Sequence, residues 1–169
     1  MFGLGLLGGG VATTNWLLRH GAKVTVTDLK TKDQLAVSLK KIQGKVRLSL
    51  GGHSKTDIKT HDIIVVNPDV FFRNPFINLA RKLDKRLENE ATIFYRYWPG
   101  YLIGVTGTRG KTTTTNWISH FLNAKYSSVA TGNSYRRPLL SVLDRSKKFD
   151  VAVTELPSFA LEFFSRSLP

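Results

Sequence analysis

Short apolar segments alternate with helix-like segments along most of the 169 residues. The strand patterns are clearest in AKVTVTD (22–28), HDIIVVNP (61–68), YLIGV (101–105) and FDVAVTEL (149–156). Because parallel neighbours in a sheet need a long crossover, usually a helix, this alternation is typical of α/β folds. The sequence therefore predicts an α/β protein with parallel strands.

The same patterns give the order of the elements. Helices are predicted over about 11–20, 33–42, 74–87, 113–122 and 138–145, with further short strands at 46–50 and 127–133. The segment WPGY (98–101) interrupts the pattern with Pro and Gly, and a new strand–loop–helix unit follows at once. We therefore expect a domain boundary there, with one domain over 1–98 and a second over 99–169.

Composition restricts the function classes. Cysteine is absent, which excludes disulfides and thiolate metal sites and fits a reducing compartment such as the cytoplasm. There is no apolar run long enough to span a membrane and no basic segment typical of a signal peptide. The net charge of +13 could serve nucleic acid, but the basic residues are scattered and do not alternate with aromatic residues. Small anionic phosphates are favoured over nucleic acid.

The segment TGTRGKTT (106–113) lies between a predicted strand and a predicted helix. Glycines let the backbone approach a polyphosphate, and the amides of a helix N-terminus point at the anion. Lys111 is placed to reach the terminal phosphates of ATP, and the Thr112 hydroxyl to bind Mg²⁺. Glu155 ends a later strand, where a second magnesium-binding acid is expected. The generic motif would have glycine at Val105, so a simple glycine-rich turn stays open as an alternative.

The N-terminal glycine cluster, GLGLLGGG (3–10), is called the first glycine loop below, and it fits the dinucleotide-binding spacing. Asp28 follows at the end of the next strand, where an acid would lie near a ribose or base. Only two residues precede Gly3, so the strand that should present this loop is expected to be largely missing. A structural glycine turn is the alternative.

Together the two loops resemble those of the Mur ligase family. The resemblance covers nearly the whole chain, and is carried by GLGLLGGG, VTVTDLK (24–30), DIIVVNPDV (62–70), GVTGTRGKTTTT (104–115), TGN (131–133) and ELPSFALE (155–162). The fold implied is a Rossmann-like UDP-binding domain followed by the first part of a P-loop ATP-binding domain. Arg109, Pro157 and Ala160 stand where the family usually has Asn, Ser and Gln.

The resemblance implies specific roles. Lys111 and Glu155 would be catalytic, and Thr112 and Glu155 would hold Mg²⁺. ATP would contact the loop residues Gly107, Thr108, Arg109, Gly110, Lys111, Thr112 and Thr113. The UDP-muramoyl-alanine substrate would contact Gly5, Leu6, Leu7, Asp28, Leu29, Lys30 and Asn133.

The reaction implied is ATP-dependent addition of D-glutamate to UDP-N-acetylmuramoyl-L-alanine through an acyl phosphate, in cell-wall synthesis. Family members continue beyond this sequence, so we expect an N-terminal piece that is inactive alone, and a full-length protein that is monomeric. Other readings stay open: a sibling ligase of the family, an NAD-dependent oxidoreductase, a non-catalytic nucleotide-binding module and a nucleic-acid binder.

Overall fold

The structure is a computed structural model that describes residues 1–67, 70, 74–132 and 138–164, apart from the side chains of Phe159 and Glu162. The chain divides into two compact units, Met1–Glu90 and Ala91–Pro169. Every pair of strands among these described residues is parallel. The predicted α/β fold with parallel strands is confirmed. Among the described helices, none is long and apolar enough to cross a membrane.

The first unit alternates helices and strands in the order α1 (Gly9–Arg19), β1 (Thr25–Asp28), α2 (Ala36–Leu39), β2 (Arg47–Leu50), α3 (Lys55–Thr60), β3 (Ile63–Val65), α4 (Pro75–Lys82) and β4 (Arg86–Glu88). Strand β1 pairs with β2, and β3 pairs with β4. The apolar cluster beside the first glycine loop comprises Leu4, Val11, Val24, Val26 and Leu35.

Residues 1–3 join these two strand pairs. Phe2 forms parallel bridges with Thr27 of β1 and with Val66 just after β3. The amide of Phe2 donates to the Val65 carbonyl, and the amide of Gly3 donates to the Thr27 carbonyl, both at 2.8 Å. Three residues thus occupy the central position, and the glycine loop leaves the sheet at its carboxyl edge.

The second unit contains most of α5 (Glu90–Tyr97), followed by β5 (Tyr101–Val105), α6 (Lys111–Leu122), β6 (Ser128–Gly132), α7 (Leu139–Leu143) and β7 (Val151–Glu155). The strand order is β5–β7–β6, so β7 is central although it comes last in the chain. Residues Val105 and Gly132 both lie opposite Glu155 in the register. The ends of all three strands therefore meet at one edge.

Some predicted elements are wrong. The helix predicted over 74–87 ends at Lys82, because Asp84 adopts a positive φ of 52° and the chain then forms β4. The helix predicted over 33–42 is confined to Ala36–Leu39. Helix α3 was not predicted; it is short and polar, and begins where the Ser54 side chain accepts a hydrogen bond from the Thr56 amide.

Candidate functional site

The second glycine loop, residues 106–110, and Glu155 lie next to each other because β5 and β7 are paired. Val105 is the last residue of β5 and is in register with Glu155, so the loop over 106–110 leaves the sheet beside that carboxylate. Thr112, in the first turn of α6, donates a hydrogen bond from its Oγ1 to Glu155 Oε2 at 2.6 Å. The structure thus brings together the two side chains that the sequence proposed as magnesium ligands.

The start of α6 has the backbone geometry of an anion site. Gly110 is the N-cap in the left-handed conformation, with φ 77° and no side-chain cap. The first amides of a helix lack partners within the helix, and the helix dipole adds positive charge there. The Lys111 ammonium folds back and donates to the Gly107 carbonyl at 3.0 Å. Because residues 106–110 are exposed, a phosphate could reach these donors directly.

The donor atoms at this site fit magnesium. A threonine hydroxyl and a carboxylate are hard oxygen ligands, and Mg²⁺ is usually bound by one or two carboxylates together with phosphate oxygens and water. Within the described part of the chain, no three His, Cys, Asp or Glu side chains cluster in a way that could hold a metal. Among the described residues, Thr112 and Glu155 alone would leave most coordination positions of the ion open to ligand phosphates and water.

Gly132 makes room for Glu155 and was not identified as a site residue from the sequence. It ends β6 opposite Glu155, with φ 137°. A Cβ at this position would lie 2.4 Å from the Glu155 carbonyl oxygen and 2.6 Å from its nitrogen. Only glycine therefore allows β6 and β7 to end side by side here. Its trace in the sequence is the TGN segment (131–133), which belongs to the resemblance described above.

Behind the site, a hydroxyl pair ties α5 to the sheet. The Tyr95 hydroxyl shares a hydrogen bond with Thr154 Oγ1, and Thr154 is fully buried next to Glu155 in the chain. Burial raises the pKa of Tyr95, and the hydrogen bond to Thr154 offsets part of that rise. The tyrosine therefore stays neutral and acts here as a packing and hydrogen-bonding group.

The first glycine loop is organised by Asp28. Its Oδ2 accepts hydrogen bonds from the amides of Leu4 at 2.8 Å and Gly5 at 3.0 Å, and its Oδ1 accepts one from the Lys30 amide at 2.9 Å. Burial alone would raise the pKa of Asp28, but these backbone hydrogen bonds, with the nearby Lys30 charge, hold it below its usual value. Asp28 is therefore a buried carboxylate that remains ionised.

The other residues proposed for the UDP substrate lie at the same carboxyl edge of the first unit. Leu6, Leu7 and Leu29 are exposed by 55%, 65% and 69%, and Lys30 is exposed too. All four follow the ends of neighbouring strand segments, as expected for ligand-binding loops of a parallel sheet. Asn133 lies outside the described residues.

Comparisons with known proteins identify the family to which the chain belongs. A family model described as the Mur ligase MurD-like N-terminal domain matches residues 1–87, and one described as the Mur ligase middle domain matches residues 105–167. The UDP-N-acetylmuramoylalanine–D-glutamate ligase of Roseiflexus sp. (strain RS-1) is 39% identical over 163 residues, which are 96% of this chain and 35% of that protein. The enzyme of the same name from Borreliella afzelii (strain PKo) is 38% identical, over 96% of this chain and 36% of that protein.

Among solved structures, a pseudomurein peptide ligase type C from Methanothermus fervidus is 25% identical, with a TM-score of 0.43 over 88% of this chain and 30% of that one. The chain spans little more than a third of the length of the curated relatives named above. The N-terminal family model alone covers more than half of the sequence. The chain therefore belongs to the Mur ligase family, with a MurD-like N-terminal domain.

Proposed function

We propose that this chain is the nucleotide-binding part of a cytoplasmic, ATP-dependent amide ligase that adds D-glutamate to UDP-N-acetylmuramoyl-L-alanine during peptidoglycan synthesis. The observation that carries the proposal is the contact between Thr112 Oγ1 and Glu155 Oε2 at the start of α6. The substrates are inferred from the relatives, which are UDP-N-acetylmuramoylalanine–D-glutamate ligases.

In this proposal the loop from Gly107 to Thr113 binds the triphosphate of ATP. The exposed amides at the start of α6 donate to the phosphate oxygens. The Lys111 ammonium exchanges its internal bond to the Gly107 carbonyl for the terminal phosphates. Thr108 and Arg109 lie exposed in the same loop and flank the phosphates.

Thr112 and Glu155 would hold Mg²⁺ and would give up their mutual hydrogen bond. When bound, Mg²⁺ supplies positive charge that stabilises a phosphoryl group during transfer. Lys111 places a second positive charge beside the terminal phosphate as the substrate carboxylate attacks it, which forms the acyl phosphate and releases ADP. The amine of D-glutamate then displaces phosphate from the acyl phosphate to form the amide bond. The residues of this chain position and neutralise the phosphates in these steps.

The first unit binds the UDP portion of the second substrate. Gly5, Leu6 and Leu7 face the diphosphate from the loop, while Asp28, Leu29 and Lys30 belong to the segment expected beside the uridine. Asn133 is proposed to contact the muramoyl-alanine end. The unit boundary at Glu90 and Ala91 lies near the domain boundary proposed from the sequence at residues 98 and 99.

The ATP proposal is tested by calorimetric titration of the chain with ATP, with and without Mg²⁺. Removing the hydroxyl with Thr112→Val, or the charge with Glu155→Gln, should weaken magnesium-dependent binding about tenfold or more, because hydrogen bonds and ligands to charged groups contribute roughly 1.5–3 kcal/mol. Thr114→Val is the matched control, since Thr114 is exposed on the same helix one turn from the cap. The proposal would be contradicted if ATP affinity is the same with and without Mg²⁺. It would also be contradicted if Thr112→Val and Thr114→Val weaken ATP binding equally.

The ligase proposal needs the full-length protein, since relatives are almost three times as long as this chain. Phosphate release should require UDP-N-acetylmuramoyl-L-alanine, ATP and D-glutamate together. Replacing D-glutamate with other amino acids separates this reaction from that of a sibling ligase. Turnover with a different amino acid, at a higher kcat/KM than with D-glutamate, would exclude the proposed substrate while leaving the nucleotide sites intact.

A further inference from the structure

The side chain of Asp28 is already occupied by the protein backbone. It is only 5% exposed, and it accepts three hydrogen bonds, from the amides of Leu4, Gly5 and Lys30. Both oxygens are used, and two of the three donors belong to the first glycine loop. A carboxylate held in this way faces the loop backbone and is almost closed to solvent.

Two further contacts fix the same two loop residues. The buried Ser38 of α2 donates from its Oγ to the Gly5 carbonyl at 2.9 Å. At the start of α1, Gly10 lies so close to the Leu4 carbonyl that a Cβ would be 2.1 Å from its oxygen. The peptide groups of Leu4 and Gly5 are thus held by β1, α1 and α2 together, whereas the next residues, Leu6 and Leu7, are exposed.

We propose that Asp28 is a positioning residue, which fixes the glycine loop so that the backbone amides of Leu6 and Leu7 face the diphosphate, and that it does not contact the nucleoside. The inference rests on the proposed function, because it takes a nucleoside diphosphate as the ligand of this loop. In dinucleotide-binding folds, an acid at the end of the strand that follows the glycine loop is expected to hydrogen-bond the ribose. The positioning role proposed for Asp28 replaces that expected role.

The two roles predict different dependences on the ligand. A residue that binds ribose or base loses its effect when the partner group is removed from the ligand. A residue that fixes the phosphate-binding loop has the same effect on every nucleoside diphosphate, because all of them use the same loop amides. The effect of Asp28→Asn should therefore be independent of the sugar and the base.

The test measures binding of UDP, 2′-deoxy-UDP and CDP to the 169-residue chain by calorimetry. All measurements use a Lys111→Ala background, so that the second loop contributes little phosphate binding. We expect Asp28→Asn to weaken all three ligands by the same factor, about tenfold, and Ser38→Ala to weaken all three equally but less. If the factor by which Asp28→Asn weakens binding is at least threefold smaller for 2′-deoxy-UDP or for CDP than for UDP, Asp28 contacts the nucleoside directly and the proposal is overturned.

A ligand-free measurement separates this inference from the proposed function. In Asp28→Asn, amide hydrogen exchange at Leu4 and Gly5 should become faster by at least ten times the factor seen at buried amides of β3. If Asp28→Asn folds poorly, Ser38→Ala serves as a milder second variant. If the parent chain binds no UDP, the UDP part of the proposed function fails, and Asp28 loses its role in ligand binding with it. If UDP binds but Asp28→Asn changes neither exchange nor affinity, only the positioning role fails.

Discussion

Substitution of Gly132 tests whether the end of β7 depends on its neighbour in β6. In Gly132→Ala, the new methyl group would lie 2.4 Å from the Glu155 carbonyl oxygen, 2.6 Å from its nitrogen and 2.8 Å from its Cβ. Carbon atoms do not approach backbone atoms this closely, so β6 and β7 would have to separate by about 1 Å to restore van der Waals contact. That shift would break the last rung of the ladder and move the Glu155 carboxylate.

The expected cost has two parts. The φ of 137° at Gly132 lies in a region that is unfavourable for alanine, at a cost of about 1–3 kcal/mol. Overpacking of a close-packed region adds about 1–3 kcal/mol. We expect Gly132→Ala to lower the free energy of unfolding by about 2–6 kcal/mol, which is roughly 4–24 °C in Tm for a chain of this size. Magnesium-dependent ATP affinity should fall about tenfold because Glu155 is displaced.

Gly21→Ala is the matched control. Gly21 also has a positive φ, of 80°, but a Cβ there would meet no atom within 4 Å. This variant therefore incurs only the backbone cost, about 1 kcal/mol, and should leave ATP affinity unchanged. Urea unfolding followed by circular dichroism, and calorimetric titration with ATP, measure both quantities. Equal destabilisation by the two substitutions would refute the steric argument, and unchanged ATP affinity in Gly132→Ala would refute the link to Glu155.

Three further predictions concern His53, Tyr95 and Gly10. Burial holds the pKa of His53 below its usual value, and nearby carboxylates offset part of that shift, so the stability contributed by the neutral ring is present above pH 6.5 and is lost as pH falls through the folded pKa. In urea unfolding at pH 7 and pH 5, the free energy of unfolding should therefore change less with pH in His53→Gln than in the parent chain. An equal change in both proteins would contradict this. Tyr95→Phe should cost only about 1 kcal/mol in thermal unfolding, because Thr154 keeps its bond to a backbone carbonyl, and a cost above 3 kcal/mol would show a larger role. Gly10→Ala should destabilise the first unit by about 3 kcal/mol or more, since its Cβ would lie 2.1 Å from the Leu4 carbonyl oxygen; a Tm within 2 °C of the parent would contradict the close approach.

The fold class could be predicted because the strands of a doubly covered parallel sheet are apolar runs. Strand β7, VAVTE, is buried over its first four residues, and its pattern is visible in the sequence. The errors arose where local conformation decided the outcome. Leu87 has helical spacing from Leu83, but the left-handed Asp84 between them ends the helix and starts a strand. A positive φ at a residue other than glycine leaves little trace in a single sequence.

The candidate site was predictable only in part. The loop, Lys111, Thr112 and Glu155 follow a known strand–loop–helix logic, and the structure places Thr112 against Glu155. Their roles toward ATP and magnesium stay predictions. The part played by Gly132 could not be derived, because it depends on the strand order β5–β7–β6, in which the last strand inserts between the first two. Nothing in the local sequence around Gly132 specifies that order.

The two glycine loops have the same plan but use their acids differently. In each unit a loop follows a strand, and a carboxylate at the end of the neighbouring strand binds that loop: Asp28 in the first unit and Glu155 in the second. Asp28 is buried and is engaged by backbone amides, which cannot be exchanged for a ligand without unfolding the loop. Glu155 is only half-buried, and the hydrogen bond it accepts comes from a hydroxyl, which a cation can replace without moving the backbone. An acid at the end of a strand is thus available to a ligand where its partner is a group that the ligand can displace, which is why we propose the metal at the second loop and loop positioning at the first.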